Sequence, residues 1–578
     1  MCIRDRSSSR KLAPPTLGLK DRLLEKSRLI TVFEVNNDAE SVARSLIQEI
    51  RFDPREVEFG PQSVGLEIKS QILRFLNMTL EACNDRPSLP HLLLGFTCTA
   101  QSLEASEGTI FARNEALFHA VMRFRLDCPF TLADSVLSSL CILKDAALQA
   151  LRLLWRSPLS APLTIAEMRA NDYVFAEFLQ QLPITSSVAW DGSLMDDPQF
   201  FLSESVSGYA AFLRSRAGFL ELVATELQSA KNSKSTLLCE RIKSSLLGTT
   251  KLPDGQQMQN MTVFDHLDFL ELNYGTQLPL PETQWFDTND FELCRVDQGS
   301  AMSKYDLGQA EQILALRTNA LRGNGRIANM NDEQQVLADA HNLLQCLIAN
   351  NGHLEVFIAH AETLKAWTQL IIVALTCCDF DAHERQSFVL QILQLMLPRL
   401  EEALSVDAST SLLLVQLSRF LLCHVDTSAI LAGSTSGDVA MDRLFHLYRV
   451  NLDALNSHAS KISRQYCYEI CHKYLQSISS VPAQGLGRRR ALQAFKAAGD
   501  YLVEIICDDA YAGDGQCRGA AMLFLDALVA ISNEEKSRHI INAFTRLNFV
   551  YVIVDAIRAF SLELQETTTA CELFGRRP

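Results

Sequence analysis

From Ser63 to Phe560 apolar residues return every three or four positions, with almost no stretch that alternates polar and apolar. That spacing puts them on one face of an α-helix, so the chain must bury a succession of helical stripes rather than the faces of a sheet. Val64, Ile68, Ile72, Phe75 and Leu76 share such a face, and the helix they define is expected to end before Pro87. Pro87 to Phe96, with Gly95 beside Leu92, Leu93 and Leu94, reads as a short buried connector, followed by a helix over Asn114 to Phe124. Thr131 to Trp155 carries Leu132, Val136, Leu140, Leu143, Leu148, Leu151 and Leu154, more than one exposed helix face needs, so burial on two sides is expected. Pro158 and Pro162 should stop it, with Thr164 and Glu167 as a capping box for the next helix. Further helices are predicted at Phe200 to Thr225 and Lys234 to Leu247.

The pattern changes at Gly248 to Lys304, where Pro253, Pro279, Pro281 and several aromatics occur without a sustained period. This is a boundary or a long loop packed on the helices. Order resumes at Leu307 to Leu321, breaks at Gly323-Asn324-Gly325 and restarts at Asp332 with Asn331 as N-cap. One stripe runs through Leu364, Trp367, Leu370, Ile371, Ala374 and Leu375, with Trp367 expected in the core. Another runs through Phe388, Ile392, Leu395 and Met396 as far as Pro398, followed by Leu413, Leu417, Phe420 and Leu421. Later helices fall at Leu444 to Leu455, Ile462 to Ile478, Ala491 to Cys507, Gly519 to Ile531 and Leu547 to Phe560. Ile30 to Val35 is the only short alternating β-branched run.

The fold class is therefore all-α. At 578 residues the chain is too long for one ordinary core, and successive antiparallel helices with short polar links fit an irregular HEAT/ARM-like α-solenoid of helix pairs. The expected organisation is a disordered or artefactual segment at 1–15, helical solenoid at 16–247, an irregular connector at 248–304 and helical solenoid at 305–578. Met1 to Arg6 reads as translated adapter sequence, and Glu572 to Pro578 as a truncated end.

A formal charge of -15 opposes nonspecific nucleic-acid binding, which relies on clustered Lys and Arg; the longest basic run, Arg488-Arg489-Arg490, reads as a solvated helix start. The first residues hold no apolar stretch before a small-residue cleavage site, so the 16 cysteines, scattered through apolar segments, are expected as free core residues in a reducing compartment. No run of 18 apolar residues offers a transmembrane segment.

Chemistry finds little to stand on. Cys467 and Cys471 lie one helical turn apart beside His472, the most metal-like group, but no second ligand pair closes a tetrahedral site. His353, His360 and His383 lack the H-E-x-x-H spacing, so surface or cap positions are expected for them. Gly323-Asn324-Gly325-Arg326-Ile327-Ala328 fits G-x-G-x-x-A but leaves a helix rather than a strand. Phosphate loops and nucleophile elbows are missing, and Asn77-Met78-Thr79 and Asn260-Met261-Thr262 are chance sequons without a secretory route. No catalytic, metal or cofactor-binding residue is assigned, and no cofactor is expected.

His360 to Leu400, HAETLKAWTQLIIVALTCCDFDAHERQSFVLQILQLMLPRL, resembles the middle-to-C-terminal solenoid of the larger of the two paralogous inner-ring scaffold nucleoporin families. The likeness rests on Leu364, Trp367 and Leu370, on Thr376-Cys377-Cys378, and on Glu384-Arg385-Gln386. Ala498 to Ile531, AGDYLVEIICDDAYAGDGQCRGAAMLFLDALVAI, is similar to a later helix pair of that family, and Leu89 to Phe96, LPHLLLGF, to its apolar-plus-glycine connector. The resemblance implies a scaffold component of the nuclear pore inner ring, at the nuclear envelope, that binds other nucleoporins through amphipathic linker helices in a groove and supports nucleocytoplasmic transport. It identifies no individual partner-binding residue. The alternatives are a HEAT-like nuclear transport receptor or adaptor and an all-α enzyme.

Overall fold

The computed structural model describes residues 27–537 apart from 36–37, 84, 129–136, 184–188, 191–192, 195–198, 268–277, 298–302, 434–438, 457–460, 482–484 and 513–514, with scattered positions beyond 537. Helices dominate it, as the periodicity requires. Strands amount, among the described residues, to three small antiparallel hairpins, Thr97–Cys98 with Leu103–Glu104, Ala189–Trp190 with Ser193–Leu194, and Thr249–Lys251 with Gln257–Gln259. The chain divides into two compact units, Met1–Cys377 and Cys378–Pro578.

In the first unit the helix Ser205–Asn232 packs along both Leu137–Arg156 and Met330–Cys377. Close approach is possible because Gly208 faces Ser138, where a Cβ would come within 2.3 Å of that side chain. Leu137–Arg156 is buried on two sides as expected, since it also packs on Val64–Ala82 and Leu117–Asp127; Leu132 and Val136 lie outside the described residues. The connector around Leu89–Leu93 is buried through Pro90, His91, Leu93, Leu94 and Phe96. Gly95 leaves it at φ +100°, with the Ala116 methyl where its own would stand.

Several local expectations are corrected. Arg28–Val35 is helical, because a β-branched run yields when Ile30 can be buried against neighbouring helices. On Val64–Ala82 the core face is Leu66, Lys69, Ile72, Leu73, Leu76 and Leu80, while Val64 and Ile68 of the predicted stripe are exposed. Pro162 starts a helix rather than stopping one: Ala161–Ala170 has proline in its first turn, Thr164 inside it, and Glu167 paired with His119 and Asn171. Met330–Cys377 is one helix of 48 residues whose cap is Asn329, accepting from the Asp332 amide, and not Asn331.

The described part of 248–304 folds onto these helices. Phe286, Phe291 and Cys294 form a small core with Tyr305, with Ala310, Leu314 and Leu321 of Leu307–Gly323, and with Val336, Leu343 and Leu347 of the long helix. Leu307–Gly323 begins at Asp306, whose carboxylate caps the Gln309 amide, and ends where Gly325 takes φ +65°.

In the second unit Lys461–Ser480 packs against Ala408–Cys423, Val439–Asn456 and Gly515–Glu534. Ala382–Val406 opens on a capping box in which Asp381 and Glu384 satisfy each other's amides. That helix runs through Pro398 instead of ending there. Met396, Leu397, Leu400 and Ala403 are buried on either side of the exposed proline, and packing outweighs a helix-interior penalty of roughly 3 kcal/mol. On Ala408–Cys423 the buried apolar face is Leu414, Val415, Leu417, Leu421 and Leu422, with Leu413 and Phe420 half-buried. The predicted helix Ala491 to Cys507 is two, Gly485–Ala497 and Asp500–Ala512, separated where Gly499 takes φ +89°. Most of Leu547 to Phe560 lies outside the described residues.

Candidate functional site

A buried polar cluster lies in the first unit, where four helices meet a pocket. Arg125 and Glu177, both buried, form a two-pronged pair: Nε donates to Oε1 at 2.5 Å and Nη2 to Oε2 at 3.0 Å. Arg125 Nη1 also donates to the Lys144 carbonyl (2.9 Å) and Ser215 Oγ (2.8 Å), and Tyr173 donates to Glu177 Oε1 at 2.9 Å. Lys144 Nζ reaches the Cys128 carbonyl at 2.9 Å, and Arg216 Nη2 the Leu182 carbonyl at 2.7 Å. The pocket between them is lined by Arg125, Cys141, Lys144, Glu177, Phe212 and Arg216.

Arg125, Glu177 and Tyr173 are committed to one another, and Lys144 and Arg216 donate to main-chain carbonyls. Arg125 has every nitrogen engaged, which a desolvated guanidinium requires, and burial together with the Glu177 charge holds the Tyr173 phenol well above its ordinary pKa. Burial pushes the neighbouring Cys128 thiol up to about 11, so it stays protonated at neutral pH and is a poor nucleophile. The arrangement joins the helices 117–127, 137–156, 173–180 and 205–232; it offers no base beside an activated nucleophile.

The residues singled out in the sequence are dispersed. Cys467 and Cys471 are fully buried, burial raising Cys467 to about 12 and Cys471 well above its ordinary value, while His472 Nδ1 turns to the Leu523 carbonyl at 2.9 Å. No group of three metal-ligating side chains occurs among the described residues. Contrary to the surface or cap position expected, His360 is buried and meets Tyr209 across the helix interface, Nε2 to phenol 3.1 Å; His353 lies against the Phe201 ring, and His383 is exposed. Arg488, Arg489 and Arg490 are not merely solvated: the first two pair with Glu535 and the third with Asp442. Asn77 donates to the Ala146 carbonyl and Asn260 to those of Ser245 and Met261, so both sequon asparagines serve packing.

Trp367 is buried, as predicted, and its indole N–H donates to the Val263 carbonyl at 2.8 Å, tying the stretch after the Thr249–Lys251 hairpin to the long helix. A second attachment was not foreseen. Asn350 accepts from the Leu278 amide (2.8 Å) and donates to its carbonyl (3.2 Å), and Asn351 does the same with Tyr305 (2.7 and 2.9 Å). Each side-chain amide thus copies a strand partner, and together they grip 278 and 305. The available signal was Asn350-Asn351-Gly352 itself, poor helix formers inside a strong helical period.

No described helix is long and apolar enough to cross a membrane. What stands out on the surface is apolar: Val64, Ile68 and Met78 are exposed along one side of Val64–Ala82, opposite its core face.

Known proteins similar to this chain are nucleoporins. Nucleoporin NUP192 of Chaetomium thermophilum is 29% identical over 573 residues, covering 93% of this chain and 32% of its own length. Nucleoporin nup186 of Schizosaccharomyces pombe is 22% identical, covering 88% of this chain and again 32% of its own. The chain thus spans about a third of the length of these curated relatives. Residues 5–572 match the family described as "Nuclear pore complex scaffold, nucleoporins 186/192/205", and the chain belongs to that family of structural, non-enzymatic nuclear pore scaffold nucleoporins.

Proposed function

We propose that the full-length protein is a structural component of the nuclear pore complex inner ring, which holds other nucleoporins in place and so supports nucleocytoplasmic transport. The observation that carries this reading is the family match over residues 5–572. The chemistry of the helices agrees with it: Arg125 with Glu177 and Arg464 with Asp509 are charges spent on each other in packing. Partners would engage by laying amphipathic linker helices into apolar grooves between neighbouring helices, a mode that needs only packed ridges and exposed apolar positions. In this reading 16–247 and 305–578 act as two stretches of solenoid joined by 248–304.

The test is to tag the full-length gene product in its own cell. Punctate signal at the nuclear rim with co-purifying inner-ring components is the expected result. Diffuse cytosolic signal with GTPase-dependent cargo release would replace the scaffold with a transport receptor.

A further inference from the structure

Val64–Ala82 carries a second apolar stripe that the described chain covers only in part. Val64, Ile68, Gln71, Phe75, Met78 and Ala82 follow each other at intervals of four, three, four, three and four, the a and d positions of a heptad. Val64 is 73% exposed, Ile68 37% and Met78 44%; Gln71 and Ala82 are exposed and Phe75 half-buried. The core of the unit is held by the other side, through Leu66, Leu73 and Leu80. A helix whose packing needs are already met has no internal reason for this seam, because a solvated face is ordinarily polar.

Charges flank the seam in the same period. Glu67, Arg74 and Glu81 recur every seven residues along one edge, all exposed, and no ion pair engages any of them among the described residues; Glu67 accepts only from Gln71, at 2.6 Å. The opposite edge is Gly65, Ile72 and Thr79; it carries no charge of its own and turns into the unit's core at Ile72. The edge therefore reads acid, base, acid.

That order decides the occupant. A second copy laid antiparallel would set Glu67 against Glu81 of its mate and Arg74 against Arg74, repelling at every step. A parallel copy would set the charges against the neutral edge and gain nothing. A partner with base, acid, base at heptad spacing would satisfy all three, and an overall charge of -15 further favours a helix with more bases than acids.

We propose that the face Val64, Ile68, Phe75 and Met78 is a docking seam for a separate amphipathic helix, whose apolar heptad residues cover it and whose flanking Lys or Arg, Asp or Glu, Lys or Arg meet Glu67, Arg74 and Glu81. The inference rests on the reading that this protein acts by holding partners, and it names the sequence chemistry of one of them.

The probe is a synthetic three-heptad peptide with Leu at a and d and Lys, Glu, Lys along the matching edge, beside a second with the edge inverted to Glu, Lys, Glu. Fluorescence anisotropy with the 578-residue chain should show the first peptide binding roughly tenfold tighter, the difference between three attractive and three repulsive helix-surface pairs. The triple variant Glu67→Lys, Arg74→Glu, Glu81→Lys should reverse the preference, and Met78→Lys should weaken both peptides. All four positions are exposed, so circular dichroism and unfolding midpoints should match the unsubstituted chain. Equal affinity for both peptides, a preference the triple variant leaves unreversed, or no binding up to the solubility limit overturns the proposal. So does a dimer in sedimentation equilibrium that Met78→Lys dissolves, which would make a second copy the occupant. Such a failure leaves the pore reading intact, since that is decided by residence at the nuclear rim.

Discussion

Removing the Trp367 indole tests the packing argument most directly. The side chain is fully buried on a helix shared by Leu364, Leu370, Ile371 and Leu375, and its N–H is the partner of the Val263 carbonyl. Trp367→Ala deletes the apolar bulk, for which buried aromatics cost about 3–5 kcal/mol, and it strands a carbonyl, which adds roughly 1 kcal/mol or more. Trp367→Phe separates the two terms: most of the volume remains, and the loss is the hydrogen bond, about 1–3 kcal/mol. Urea unfolding followed by circular dichroism reads the sum. Hydrogen exchange reads the location, because the phenylalanine variant should raise exchange around Met261 to Val263 while the core of Ser205–Asn232 stays protected. Alanine and phenylalanine variants with unchanged midpoints would show that the indole is not a packing element, and the attachment of Val263 to the long helix would fall with it.

Glu177→Leu should destabilise the first unit by roughly 3–5 kcal/mol in urea, since it leaves the buried Arg125 guanidinium uncompensated, whereas Arg125→Met with Glu177→Leu should recover much of that loss in the same measurement. His91 is buried beside Ser88, and burial lowers its pKa from 6.5 to about 4. The unfolded chain therefore takes up a proton before the folded one does. Stability from this residue is present above pH 6.5 and is lost as pH falls toward 4, about 3 kcal/mol in all, so unfolding midpoints of His91→Gln should decline less steeply over that window than those of the parent. Gly95→Ala should cost more than the roughly 1 kcal/mol of an ordinary glycine replacement, because the added methyl at φ +100° meets Ala116 at 2.6 Å; thermal melts report it. Asn351→Ala should raise hydrogen exchange at Tyr305 with little change at Val263, which hangs from a different attachment.

Helix existence was legible because a three-to-four spacing has one geometric meaning, and Leu140 to Leu154 or Leu364 to Leu375 could hardly be read otherwise. Which face is buried was less legible. Val64–Ala82 has two apolar stripes, and only tertiary contact decides that Leu66, Leu73 and Leu80 go inside. Boundaries failed where a local rule lost to packing, as at Pro398, or where a punctuating residue was overlooked, as at Gly499. The Arg125 and Glu177 pair was invisible because its partners are 52 residues apart and no sequence period relates them. The clamps at Asn350 and Asn351 were hidden for a similar reason: their partners are backbone groups, which every residue supplies.

Met330–Cys377 belongs to two packed assemblies at once. Toward its start it closes the small core around Phe286 and Phe291, and toward its end it lies along Ser205–Asn232. A continuous rod about 72 Å long resists twisting between its halves, so neither assembly can turn without loading the other. Its softest stretch is Asn350-Asn351-Gly352, where intrinsic helix penalties sum to roughly 2 kcal/mol relative to alanine. The same two asparagines grip Leu278 and Tyr305. Torsion sufficient to unwind the rod there would also release both grips, so the beam and its fastenings yield as a single fuse.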